Sequence, residues 1–172
     1  MSTSFSTTTT VAGSPAEVFA AALNTSAWWN TAIEGRTTHV GDEFGFEVAG
    51  LRRTRIRVAD VTPSRRLEWL VVENNFGFVS DQSEWVGDRM VFDFEPVEAG
   101  TKVTFTQHGL VPELECFDVC SNAWGFFIGA SLRQLAEEGQ GSPETNAGQA
   151  APAEHARAAV DALRDNSVTV DA

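Results

Sequence analysis

The feature that most constrains this chain is a change of period. Between residues 43 and 107 large apolar side chains recur at every second position, and between 112 and 138 at every third or fourth. Phe44, Phe46 and Val48 share one face of a strand, as do Met90, Phe92 and Phe94, and then Val103, Phe105 and Gln107. Cys116, Cys120, Trp124, Phe127, Ile128, Ser131 and Leu135 form one broad stripe along a helix. Such a stripe must bury itself against something, and the one surface large enough is the aromatic face of the strands. The expectation is therefore an α+β domain, a curved antiparallel sheet closed over a long C-terminal helix, with an apolar pocket between them.

The remaining segments agree with that plan. Residues 4–11 alternate in the manner of a first strand. Ser14, Pro15 and Glu17 then spell a helix start: a capping hydroxyl, a proline at the first helical position and a glutamate at the third. Val18, Phe19, Ala22 and Leu23 form that helix's buried stripe, and Asn24-Thr25-Ser26 breaks it and caps a second short helix carrying Trp28 and Trp29. A hairpin is expected at Ala49-Gly50, and further strands at 67–72 and 82–86. Another hairpin turns at 96–100. The long helix is expected over 112–138, stopped by Gly139 in the left-handed conformation. Residues 144–172 shift to an Ala-, Gly- and Pro-rich tail with one short helix near 153–164, so the domain is placed at 1–143.

Composition narrows the function. A net charge of −12 on 172 residues opposes binding to nucleic acid and to anionic membrane surfaces. No apolar run is long enough to insert in a membrane, and the first residues lack the basic start and apolar run of a signal peptide, so a cytoplasmic location is expected. Cys116 and Cys120 alone cannot build a disulfide framework, which suits a reducing compartment.

Candidate chemistry is sparse. Half of the basic residues fall between Arg52 and Arg66, with Arg53, Arg55 and Arg57 on one strand face. An anion site is one reading; a solvated outer face, offset across the hairpin by Glu43 and Glu47, is the simpler one. Cys116 and Cys120 could share a metal with His39 or His108, but no second Cys or His pair supports zinc, and small buried hydrophobes are the expected role. Neither a metal nor a cofactor is expected. His108, Glu115 and a cysteine could converge where the last strand meets the helix, yet strand alternation turns His108 to solvent and Gln107 inward.

The order of elements resembles the helix-grip superfamily, the SRPBCC proteins that include START lipid-transfer domains and the birch-pollen allergen. The residues that carry the likeness are Ser14-Pro15-Ala16-Glu17-Val18-Phe19, Trp28-Trp29, Arg65-Arg66-Leu67-Glu68-Trp69, Glu84-Trp85 and the stretch 101–105. Gly109-Leu110-Val111-Pro112, Glu115-Cys116-Phe117, Cys120, Trp124, Ser131-Leu132 and Gly139-Gln140-Gly141-Ser142-Pro143 look like the AHSA1-like branch, named after the activator of a heat-shock-protein ATPase. The likeness spans residues 5–143 and departs at Gln107, where relatives often carry His. A proton-transfer role for that histidine does not carry over.

The resemblance implies a helix-grip fold and several activities: carriage of lipids, hormones or polyketides, cyclisation or hydrolysis of polyketide-like substrates, and stimulation of a chaperone ATPase. The expected function is binding of a small hydrophobic or amphipathic molecule between sheet and helix, without an assigned catalytic residue. Phe44, Phe46, Trp69, Phe92, Phe94 and Phe105 are the expected walls on the sheet. Cys120, Trp124 and Phe127 are expected to face them from the helix, with Glu84, Trp85 and Gln107 as polar fixtures. A chaperone or a second copy of the chain is the alternative partner.

Overall fold

In the computed structural model, which describes residues 3–49 and 51–145, the chain runs β1 (Phe5–Val11), α1 (Pro15–Leu23), α2 (Thr25–Trp28), β2 (Glu34–Gly35), β3 (Glu43–Val48), β4 (Arg52–Thr62), β5 (Arg66–Phe76), β6 (Arg89–Val97), β7 (Gly100–His108), α3 (Phe117–Phe126), a π-helical turn (Phe127–Leu132) and α4 (Arg133–Glu138). The short helix expected near 153–164 lies outside the described residues. The strands form one seven-stranded sheet in the order β1-β7-β6-β5-β4-β3-β2, each neighbour antiparallel. The β4–β5 ladder slips register between Arg55 and Ile56 and again between Val58 and Asp60, and such bulges bend the sheet. The concave side of the bend receives the helices.

Local chemistry places the first helix as read, whereas α2 starts after Asn24 without a side-chain cap and ends at Trp28, with Trp29 as its C-cap. Ser14 Oγ accepts from the Glu17 amide while Glu17 Oε1 accepts from the Ser14 amide, a complete capping box ahead of Pro15. The stop at Gly139 is left-handed, with φ of 83°.

Two expectations are corrected. Residues 82–86 form turns rather than a strand: Asp81 Oδ1 accepts from both the amide and the hydroxyl of Ser83, and the Glu84 amide bonds back to the Asp81 carbonyl. Trp85 is buried all the same. The helix begins at Phe117 rather than at residue 112, because Glu84 takes the Glu115 and Cys116 amides and the chain before them turns through short-range backbone bonds. The rod from Phe117 to Glu138 is also not uniformly α-helical. Its π turn buries the neighbours Phe127 and Ile128, and Ser131 and Leu132 one turn on, a wider face than an α-helix presents.

That face closes the core. Trp28 stacks on Trp29 and Trp69, Trp69 meets the edges of Phe44 and Phe92, and Phe92 meets Phe105 at 5.0 Å between ring centroids. Trp124 on the helix reaches Phe105 at 4.3 Å and Trp29 at 4.9 Å. Aromatic pairs of this kind contribute about 0.5–1.5 kcal/mol each beyond the area they bury. On the convex side Glu43 accepts from Arg55 and Arg57, and Arg66 and Arg89 pair with Glu68. The arginine face is thus a solvated lattice of exposed ion pairs, each worth little.

Candidate functional site

One cavity opens between the helix rod and the end of the sheet where β4 begins. Its walls are Trp29, Phe78, Trp85, Val119, Cys120, Ala123, Trp124 and Phe127, and its rim is Leu51, Arg52 and Glu144. It measures about 20 Å³, room for a single water.

The rim is a buried ion pair. Arg52 and Glu144 are respectively 10% and 7% exposed in their side chains, and Arg52 Nη2 donates to Glu144 Oε1 at 2.8 Å. Asn30 Nδ2 donates to the same oxygen, also at 2.8 Å. Strand parity explains Arg52's position, since Arg52, Thr54, Ile56 and Val58 share the concave face and Arg53, Arg55 and Arg57 the convex one. The guanidinium carbon lies 4.8 Å from the centre of the Phe46 ring, a cation–π contact.

Glu144 arrives from the other direction. Past Gly139 the chain folds back over the π turn, where Ser131 Oγ donates to the Trp28 carbonyl and accepts from the Ser142 amide. The Glu144 amide then donates to the Trp29 carbonyl, and the Thr31 amide to the Glu144 carbonyl. Residue 144 is accordingly fastened to the body, just past the expected domain boundary at 143.

Two hydrogen-bond donors at this site lack acceptors among the described residues. Arg52 Nε and Trp85 Nε1 are buried without a partner, and both side chains line the cavity. Leaving such a group unmatched costs about 1–3 kcal/mol. Trp69 Nε1 is also unmatched, but it sits among the core rings, away from the cavity.

A buried polar chain runs behind the cavity. Trp124 Nε1 donates to Gln107 Oε1, and Gln107 Nε2 donates to Asp88 Oδ2, both at 2.8 Å. Burial raises the Asp88 carboxyl to about 6, the Gln107 hydrogen bond opposing it and the nearby Glu84 charge adding to it. Near the same end the Cys116 thiol is pushed up by its hydrogen bond to Cys120, by burial and by Glu84, so it stays protonated.

The expected site residues therefore fall into three groups. Trp85, Cys120, Trp124 and Phe127 line the cavity. Phe44, Phe46, Trp69, Phe92, Phe94 and Phe105 are buried in the packed core and do not line it. Gln107 is committed to Trp124 and Asp88, and Glu84 to the amides ahead of α3. Sequence reasoning missed Arg52, Glu144 and Trp29 as neighbours of one cavity. An arginine on the inward parity of an otherwise apolar strand was the available signal for Arg52; none existed for Glu144.

The other candidate chemistry is not assembled. His108 and Glu115 are both exposed, and no catalytic step is assigned to them. His39 is exposed beside Thr38 and Asp42, and among the described residues no three His, Cys, Asp or Glu side chains stand together as a metal would need. Nor is any described helix long and apolar enough to cross a membrane.

Comparison with known proteins bears on this geometry. The family described as Activator of Hsp90 ATPase homolog 1-like protein matches residues 12–137. The chain belongs to that family. Among solved structures, this AHSA1-like chain is similar to the Aha1 dimer from Colwellia psychrerythraea, with TM-score 0.66 and 23% identity over 81% of this chain and 99% of that one. A protein from Mesorhizobium loti aligns with TM-score 0.63 and 16% identity, covering 77% and 96%. DynU16, from the dynemicin biosynthetic locus, aligns with TM-score 0.57 and 15% identity, covering 79% of this chain and 48% of that one. None of the curated proteins matches. At these identities the solved structures establish the helix-grip architecture of the AHSA1-like chain and nothing finer.

Proposed function

We propose that the chain binds a small apolar or amphipathic molecule at the cavity between helix rod and sheet. One observation carries the reading: an apolar-walled gap retains two buried donors with no acceptor among the described residues. Binding pockets are built that way, mostly apolar with a few polar groups that fix orientation. The π turn supports it, since Phe127, its first residue, is a wall of the cavity, and such turns are frequent at functional sites. A cavity of one water's size accepts a ligand only after the rim moves. Native mass spectrometry of the purified chain, with titration of the neutral probe N-phenyl-1-naphthylamine, tests this. Saturable binding that quenches tryptophan emission is the expected result, and no bound species under either method would overturn it.

Family membership favours a second reading, association with a chaperone ATPase or with another copy of the chain. Among the described residues only Val40 and Val86 are exposed large hydrophobics, so such an interface would be polar. An open groove of about 540 Å³ flanked by Glu34, Glu43, Glu47, Arg53 and Arg55 is its natural place. An ATPase stimulation assay and solution mass by light scattering test that reading, and an inert monomer would remove it.

A further inference from the structure

We propose that the cavity's ligand is a carboxylic acid with an apolar body, that Arg52 is its anchor, and that the Glu144 carboxylate occupies the ligand carboxylate's place in the closed form. This rests on the binding reading above and deepens it. Arg52 is a nine-tenths buried cation at the lip of an apolar gap, and a buried cation requires an anion. In the closed chain that anion comes from Glu144, whose Oε1 accepts from both Arg52 Nη2 and Asn30 Nδ2. The match is incomplete, because Arg52 Nε is left buried without an acceptor. A free acid can use the guanidinium edge bidentately, engaging Nε and Nη2 together, which is the stronger geometry. Trp85 Nε1 adds a second unmatched donor in the same cavity wall.

The size of the gap makes exchange and opening a single event. With Glu144 in place there is room for one water, whereas withdrawal of the Glu144 side chain uncovers Arg52 and joins its own volume to the cavity. Residue 144 is held there by the Arg52 and Asn30 contacts and by two backbone bonds, to Trp29 and from Thr31. A ligand that brings its own carboxylate replaces the ionic contacts as it enters. A neutral ligand must expel Glu144 and leave Arg52 unpaired, so it binds less well.

The test uses matched pairs, decanoate against decanamide and 4-phenylbutyrate against 4-phenylbutanamide, titrated calorimetrically into the full chain, into Arg52→Gln and into Glu144→Gln. The acids are expected to bind about tenfold or more tightly than the amides, a difference of about 1.4 kcal/mol. Arg52→Gln should abolish that preference, bringing the acids to no tighter than the amides, and Glu144→Gln should tighten acid binding about tenfold by removing the internal competitor. Equal affinity for acid and amide, or a preference that survives Arg52→Gln, overturns the proposal while binding of the amides or of N-phenyl-1-naphthylamine leaves the broader reading standing. Failure of all of them to bind overturns both. If Arg52→Gln does not fold, Glu144→Gln decides alone, and acid affinity unchanged from the parent chain refutes the proposal.

Discussion

The two ends of the space between sheet and helix are built differently. Around Trp69, ring meets ring, from Trp28 and Trp29 to Phe44 and Phe92, and all five are buried. Around Trp85 the same kinds of residue stop short of closure, and the space is finished by a charged pair contributed by the start of β4 and by the segment after α4. The difference teaches that aromatic content by itself does not make a pocket. The filled end supplies stability, while the end closed by an ion pair and a returning segment is the part that can open with modest loss.

The comparison is most directly broken by truncating each tryptophan. Trp69→Ala should destabilise by about 3–5 kcal/mol in urea unfolding, since a rigid ring cluster cannot collapse into the hole. Trp85→Ala should lose less, about 1–3 kcal/mol, because the site beside it already contains a gap. Equal losses would mean that the two ends are equivalent.

Next in size is Gly109→Ala. Gly109 holds φ of 112°, and a methyl group there would overlap the Asp88 carboxylate. A loss of about 2 kcal/mol is expected, with Asp88 pushed off Gln107 and the Trp124 indole N–H proton shifted in the NMR spectrum.

Asp88 itself gives a pH signature. Its folded-state carboxyl titrates at about 6 against an ordinary 3.8, so the folded chain holds a proton that the unfolded chain releases. The contribution is fully favourable below about 3.8 and is lost as pH rises through about 6. After allowance for partial solvent screening that loss is about 1–2 kcal/mol. Asp88→Asn, which keeps an acceptor for Gln107, should remove this slope and be the more stable form at pH 7. Parallel urea midpoints across pH 3.5–7.5 for the two chains would contradict it.

The smallest global effect sharpens the contrast most. Arg52→Met with Glu144→Gln should change global stability by no more than about 1 kcal/mol, because a nearby apolar replacement offsets the lost pair. Locally the returning segment loses its ionic hold, so the Thr31 and Ser142 amides should exchange hydrogen faster while amides in β6 and β7 do not change. Uniform acceleration across the sheet would show that the rim is part of the same cooperative unit as the core.

Much of the fold was legible because face assignment is a local property. Strand alternation put Gln107 inward and His108 outward and separated Arg53, Arg55 and Arg57 from Thr54, Ile56 and Val58, and glycine's ease in the left-handed conformation marked Gly139 as the helix stop. The errors came where a distant partner intervened. Glu84 took the Glu115 and Cys116 amides, which a helix starting at residue 112 would have bonded to its own carbonyls, and the Asp81–Ser83 turn displaced a strand from around Trp85.

The sequence by itself determined the helix-grip plan of this AHSA1-like chain: which side of each strand is greasy, which stripe of the last helix answers it, and that the charged strand face is solvated. Only the tertiary structure decided that six of the expected wall residues are buried without lining the cavity beside Trp85, that Gln107 is spent on Trp124 and Asp88, and that Arg52 meets Glu144 across 92 residues of chain. The physical reason is that backbone period sets the direction of a side chain within a few residues, whereas the partner of a buried charge and the volume left between layers depend on where remote segments close.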